Sequence, residues 1–193
     1  MAVLILGLIV FLGVHSVQIV KPNLRARVIE RAGNRGAWMW PYTAMAGIGL
    51  VFIIVGYGLA RQGAPIIYTP TPALRHLALL LMIPVFPLLF ATYIHGRIRQ
   101  KLGHPMLIAT LLWAIAHLMA NGNLADLLLF GSFLVWAVID WHSLRKRGAN
   151  TPSEQTIPWG RNDAISIVAG GMVYVATVVG LHQWLFGVSP MAG

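Results

Sequence analysis

The sequence predicts an all-α, polytopic transmembrane helix bundle of about six spans, with both termini on the non-cytoplasmic side. The 193 residues are 58% hydrophobic and only 10% charged, which is far more apolar than a soluble domain. Apolar runs long enough to form membrane-spanning helices recur along the whole chain. The basic residues fall in alternate connections between these runs, as the positive-inside rule requires.

The apolar runs define the spans in order. A helix crosses the ~30 Å hydrocarbon core with about 20 apolar residues. The predicted spans are residues 2–20, 38–60, 73–94, 105–120, 124–141 and 164–187. Pro84 and Pro87 predict a kink in the third span, because each lacks the backbone donor of a helical residue. The fourth span is the shortest, and the three residues Asn121, Gly122 and Asn123 form a predicted tight turn into the fifth.

The charges predict the orientation. Three connections, residues 21–37, 95–104 and 142–163, hold 12 of the 14 basic residues, and only Arg61 and Arg75 lie toward the opposite side. These three connections are therefore predicted to be cytoplasmic, with residues 150–158 as a polar loop, and both termini lie outside. The basic side chains are expected to meet lipid headgroups of the bilayer and not nucleic acid. Residues 1–193 are predicted to form a single integral membrane domain.

The histidines are the main candidates for a functional site. The chain has seven histidines and five acidic residues, and each ionisable group at membrane depth needs a partner, a cavity or a ligand. Counted from the span ends, His76, His117 and His182 lie toward the outer side, and His15 lies nearer the cytoplasmic end of its helix. The three at the inner boundary are His95, His104 and His142.

Two of these histidines lie on helical stripes. His117 shares one helix face with Trp113 and Asn121, and Asp126 follows after the turn. A carboxylate there would accept the second ring N–H of a metal-ligating histidine; alternatively, Asp126 pairs with a histidine or with Arg75. His15 ends a stripe with Gly7 and Phe11. Small and aromatic residues on one face would suit a flat macrocycle bound beside His15. The same stripe is also expected if His15 is simply a polar side chain packed between helices.

Four segments resemble the NnrU family, which includes the plant and cyanobacterial ζ-carotene isomerase, Z-ISO. They are residues 6–16, LGLIVFLGVHS; residues 104–106, HPM; residues 113–125, WAIAHLMANGNLA; and residues 127–131, LLLFG. In the isomerase branch the resemblance implies a haem b held by two histidines, which match His15 and His117 as ligands of the iron. His104 matches a further family histidine and, with Asn121 and Asp126, is expected to lie around the ligands.

The resemblance is to the bacterial branch, which is named from its association with denitrification and nitric oxide metabolism. It implies a multi-pass protein of the bacterial inner membrane. The expected function is redox metabolism linked to nitric oxide, or cis-trans isomerisation of a carotenoid. Nitric oxide, a quinone or a carotenoid would be the partner. If the chain is an enzyme, it is a haem-dependent isomerase or a membrane redox protein; no catalytic residue is assigned.

Other interpretations remain open at this stage. The Cα atoms of His15 and His117 differ in predicted depth by roughly 10 Å, so the depth-matched set His76, His117 and His182 is the alternative group of ligands. A small-metabolite or metal transporter and a non-catalytic assembly or sensor subunit are the alternative functions. The absence of cysteine excludes thiolate-ligated metals and cysteine nucleophiles. The sequence also lacks a His-Glu-x-x-His motif and a phosphate-binding glycine loop.

Overall fold

The computed structural model describes residues 1–148 and 157–191, and most of these residues are helical. The loop predicted over residues 150–158 lies mostly outside the described residues. The helices in the described part of the chain are α1 Ala2–Val20, α2 Leu24–Ala32, α3 Gly36–Ala60, α4 Pro72–Met82, α5 Val85–Tyr93, α6 Arg97–Leu102, α7 Pro105–Ala120, α8 Leu124–Lys146, α9 Arg161–Ala176 and α10 His182–Phe186. A π-helical segment, Thr177–Leu181, joins α9 to α10.

The long helices confirm the polytopic transmembrane fold. Among the residues that the structure describes, five segments are long and apolar enough to cross a membrane: Ala2–Val20, Gly36–Ala60, Pro72–Tyr93, Leu124–Lys146 and Arg161–Phe186. The remaining predicted span, the fourth, is the shorter apolar helix α7. Large apolar side chains remain exposed on the helices, for example Ile9 at 65% and Leu59 at 62%, as expected where lipid is the solvent. The chain is a multi-pass integral membrane protein.

Proline interrupts the third span as predicted. Helix α4 ends at Met82, and α5 begins at Val85 after Pro84. The amide of Ile83 bonds to the carbonyl of Leu80, only three residues earlier. This tighter turn follows from the missing N–H of Pro84 and the clash of its ring with the preceding turn. The span is therefore two helical pieces.

Two short helices in the basic connections are not predicted from the sequence. Helix α2 carries Arg25, Arg27 and Arg31 and has no buried residue, and α6 carries Arg97, Arg99 and Lys101. Both helices are too short and too polar to resemble a membrane span, so a search for apolar runs passes over them. The arginines and apolar side chains of α2 are typical of a helix that lies along a membrane surface.

The described chain divides into two compact units. The first unit comprises Met1–Tyr68 and Gly122–Ser143, and the second comprises Thr69–Asn121 and Leu144–Gly193. In the first unit α1 packs along α3 through glycines. A Cβ added at Gly7 would lie 2.6 Å from the Ile53 amide nitrogen, and one added at Gly49 would lie 2.7 Å from the Phe11 amide nitrogen. Such distances leave no room for a side chain, so glycine sets the separation of these two helices.

Neighbouring glycines of α3 differ sharply in their surroundings, which gives a direct test. We expect Gly49→Ala to lower the free energy of unfolding by about 2–3 kcal/mol, since its Cβ would meet the backbone of α1. A Cβ at Gly47 has no atom within 4 Å, so Gly47→Ala should be neutral or stabilising by up to about 1 kcal/mol. Denaturation of both variants in mixed micelles, followed by tryptophan fluorescence, measures the difference. Equal losses would contradict the packing assigned to Gly49.

The core of the second unit lies where α5 packs against α7 and α9. Val85, Leu88 and Ala109 form a buried apolar cluster. A Cβ at Gly170 of α9 would collide with the backbone of Pro87 in α5. The glycine thus brings α9 against the proline-containing piece of the third span.

A buried carboxylate stabilises one end of the second unit. Asp163, 2% exposed, accepts hydrogen bonds from the backbone amides of Ile98 at 2.9 Å, Arg97 at 3.2 Å and Gly160 at 3.2 Å. The first two amides are the otherwise unpaired donors at the start of α6, and the third is at the start of α9. One side chain therefore caps two helices.

Candidate functional site

His15 lies on α1 in the first unit, with its ring held by its own helix. Its Nδ1 is 2.7 Å from the carbonyl oxygen of Phe11, and the two rings are 4.3 Å apart between centroids. A carbonyl oxygen can only accept, so the proton of the neutral imidazole lies on Nδ1 and the lone pair lies on Nε2. This is the tautomer that a histidine needs if it is to bind a metal through Nε2.

Aromatic side chains surround the ring of His15. Tyr42 and Trp136 contact it edge-on, at 5.5 Å and 6.1 Å between ring centroids. The indole Nε1 of Trp136 is buried and has no hydrogen-bond partner in the described part of the chain. A buried donor without a partner is costly and uncommon in a native protein. The indole N–H of Trp136 is therefore available to donate a hydrogen bond to a group bound beside His15.

His117 repeats this arrangement on α7 in the second unit. Its Nδ1 lies 2.9 Å from the carbonyl oxygen of Trp113, and the rings are 5.2 Å apart. As in His15, Nδ1 donates to a backbone carbonyl. The side-chain amide of Asn121 donates to the carbonyl of His117 at 2.9 Å. Trp113, His117 and Asn121, predicted to share one helix face, therefore contact one another along α7.

A cavity of about 230 Å³ lies beside His117, within the second unit. Its wall is formed by α4, the end of α7, the π-helical segment and the residues after α10, with one residue each from α5, α9 and α10. The polar side chains in the lining are Arg75, His117, Asn121, Tyr174, Thr177, His182 and Ser189. The remaining lining is apolar. π-Helical turns are rare and occur frequently at functional sites.

The other histidines named from the sequence occupy different surroundings. His104 is the N-cap residue of α7, and its Nε2 is buried without a hydrogen-bond partner among the described residues. His182 lines the cavity and its Nδ1 bonds to the Val188 carbonyl at 2.7 Å. His76 is exposed and is not part of the cavity lining. No group of three or more His, Asp or Glu residues suited to a metal ion occurs within residues 1–148 and 157–191.

Asp126 has other partners than those expected from the sequence. It is 3% exposed and accepts a 2.6 Å hydrogen bond from the hydroxyl of Tyr57 and a 3.2 Å bond from the amide of Asn123. The acceptor for Nδ1 of His117 is the Trp113 carbonyl, so the structure does not give Asp126 the proton-accepting role considered from the sequence. Burial and the charge of Asp126 raise the pKa of Tyr68, in the loop after α3.

The family model described as NnrU protein matches residues 3–190. The chain belongs to the NnrU family. The match covers almost the whole sequence of this NnrU protein, including both histidine stripes and the cavity lining. No curated protein and no solved structure matches the chain at a significant level.

Some features of this NnrU protein were not found by reading its sequence. Arg75 in the cavity wall and the unpartnered indole of Trp136 carry no local motif. Asp163 does have one, because Gly160 and Asp163 stand three residues apart just before an apolar run, as in a helix-capping sequence.

Proposed function

We propose that this NnrU protein binds haem b and that His15 and His117 are the axial ligands of the iron. The observation that carries the proposal is the arrangement that the two histidines share. Each donates its Nδ1 proton to the carbonyl four residues earlier, and each packs at a tilted angle against the aromatic side chain at that same position. Two histidine rings with the same hydrogen bond and the same aromatic contact are suited to act as a pair of imidazole ligands.

The hydrogen bonds to the backbone perform a definite task. A bond from Nδ1 to a carbonyl fixes the orientation of the ring and strengthens Nε2 as a donor to a metal. It also requires no charged partner within the membrane, where a carboxylate would be costly. Phe11 and Trp113 restrict rotation of the rings, so little side-chain freedom is lost when a ligand binds.

The residues around His15 fit a large aromatic cofactor. Phe11, Tyr42 and Trp136 provide flat apolar faces and edges, and the buried Nε1–H of Trp136 is a donor for a polar substituent of the bound group. Haem b, when bound, supplies reversible oxidation and reduction of iron and an exchangeable coordination position. His15 and His117 would hold the iron through Nε2, and the apolar surroundings would limit the access of water to it.

The alternative ligand set has less support in the structure. His76 is exposed and shows no bond from its ring to the backbone in the described part of the chain. His182 is bonded to the carbonyl of Val188, in the segment that follows α10. Neither residue has the preceding aromatic side chain that His15 and His117 share, so we assign the ligands to the latter pair.

An optical spectrum of the purified protein tests haem binding. We expect membranes from cells supplied with a haem precursor to yield a coloured protein, with a Soret band and sharp reduced α and β bands typical of two histidine ligands. The pyridine haemochrome should identify haem b at about one per chain. A folded, monodisperse protein that remains colourless after incubation with haemin would refute the proposal.

The substrate follows from a second measurement on the reduced protein. Nitric oxide is the partner that the denitrification branch of the family suggests, and a carotenoid is the partner that the isomerase branch suggests. Addition of nitric oxide should shift the reduced Soret band if one histidine leaves the iron. Incubation of the reduced protein with a poly-cis carotene, followed by chromatography, tests isomerisation. A shift of the Soret band by nitric oxide would support a redox role linked to nitric oxide. Conversion of the carotene would support an isomerase.

A further inference from the structure

The cavity beside His117 contains an unusual cation. Arg75, in the first turns of α4, is one of the cavity-lining residues. Within residues 1–148 and 157–191 no hydrogen bond or ion pair reaches its guanidinium group, and no acidic side chain lines the cavity. Arg75 is half-buried at the start of the span, and an anionic partner would stabilise a cation that is partly removed from water. The positive-inside rule also disfavours an arginine on the predicted outer side.

The other polar groups of the lining are already bonded to the backbone. The hydroxyl of Tyr174 donates to the Leu79 carbonyl at 2.9 Å, and the hydroxyl of Thr177 donates to the Val173 carbonyl at 2.7 Å. The ring of His182 is bonded through Nδ1 to Val188. None of these groups carries a negative charge, so none of them balances the charge of Arg75.

The remainder of the lining is apolar. Met82 and Phe86 from the third span face the same cavity as Val178 of the π-helical segment. An occupant must therefore combine a negative charge near Arg75 with an apolar body. The guanidinium fork binds planar oxyanions through two parallel hydrogen bonds, which matches a carboxylate.

We propose that this cavity binds the carboxylate of an otherwise apolar molecule and that Arg75 recognises the anion. The volume of about 230 Å³ lies below the ~300–1,000 Å³ of pockets that enclose a whole ligand. A terminal carboxylate enters such a space end-on, with the rest of the molecule outside it. A phospholipid phosphodiester carries bulky groups on both sides and does not fit in this way.

Two molecules can present this carboxylate. One is a free fatty acid from the bilayer. The other is the propionate side chain of haem, and this second source rests on the proposed function, since His117 lies in the wall of the same cavity. The two sources give different results in binding experiments.

The first experiment measures binding of radiolabelled palmitate to the purified full chain in phosphatidylcholine nanodiscs, with methyl palmitate as the uncharged comparison. If a fatty acid is the occupant, palmitate binds saturably and the ester does not. Arg75→Gln should weaken binding about 10-fold, equivalent to about 1.4 kcal/mol, and Arg75→Lys should retain part of the affinity. Arg61→Gln is the matched control, because the Arg61 guanidinium lies over the ring of Tyr57 in the first unit.

The second experiment measures transfer of haem from the purified protein to apomyoglobin. If a propionate is the occupant, palmitate does not bind to the haem-loaded protein, and Arg75→Gln speeds haem loss about 10-fold with unchanged axial-ligand bands. Arg61→Gln should leave the rate unchanged. A colourless protein that binds palmitate through Arg75 refutes haem binding and supports the carboxylate site.

Two results would overturn the proposal. One is that Arg75→Gln, with an unchanged size-exclusion profile, alters neither palmitate binding nor haem loss. The other is that nanodiscs containing phosphatidylglycerol abolish palmitate binding at a concentration where phosphatidylcholine does not, which would assign the cavity to a phospholipid.

Discussion

Asp163→Ala is expected to lower the free energy of unfolding by about 3–5 kcal/mol. The substitution removes the acceptor of the Arg97, Ile98 and Gly160 amides. Arg97 and Ile98 are half-buried, and each amide left there without a partner costs roughly 1–3 kcal/mol. Asp163→Asn keeps one acceptor oxygen and should cost about half as much. Thermal denaturation in detergent, read by size-exclusion fluorescence, measures both.

Two glycines provide the matched steric control for this cap. Gly96 and Gly160 are N-cap residues of α6 and α9, and both have extended backbone angles that any residue adopts. A Cβ at Gly96 would lie 2.5 Å from Oδ1 of Asp163, whereas one at Gly160 meets only the Pro158 oxygen at 3.9 Å. Gly96→Ala should destabilise and Gly160→Ala should not. Equal behaviour, or a stable Asp163→Ala protein, would contradict the double cap.

Replacement of either proposed ligand is expected to have the largest effect on the optical spectrum. His15→Gly and His117→Gly each remove one Nε2 donor, so the sharp reduced bands of a six-coordinate haem should disappear. Added imidazole should restore them, because it enters the space of the missing ring and binds the iron. The reduced spectrum is recorded with and without ~10 mM imidazole, a concentration sufficient for a millimolar site.

His182→Gly is the control for this experiment. It removes a histidine from the wall of the same cavity but should leave the reduced bands and the haem content unchanged. Loss of the bands in His182→Gly with retention in His15→Gly would transfer the ligand role to the alternative set. Rescue by imidazole separates a lost ligand from a misfolded protein, since a disordered chain would not regain the spectrum.

The sequence was a good guide to the membrane spans because hydrophobicity and charge act locally. The bounds of α1 and α7 agree with prediction, and the break at Pro84 lies where a backbone donor is missing. The C-terminal end of α8 is less well predicted, because α8 continues to Lys146 and not to residue 141. A helix is propagated by backbone hydrogen bonds and does not stop where the apolar side chains end.

The histidine stripes are also local features, since residues four apart share a helix face. Phe11 with His15 and Trp113 with His117 are therefore readable from spacing alone, and both contacts exist in the structure. Their assignment as haem ligands came from the family resemblance and stays a prediction until a spectrum is recorded.

The sequence by itself determined the membrane environment, the approximate spans, the predicted orientation and the two histidine stripes. Only the tertiary structure decided that Tyr57 bonds to Asp126, that Asp163 caps α6, and that Arg75 shares a cavity with His117. The physical reason is distance along the chain. Periodicity reports which residues share a face of one helix, whereas the partners of Asp126 and Asp163 lie 69 and 65 residues away. Such pairs depend on how glycines and proline let particular helices approach.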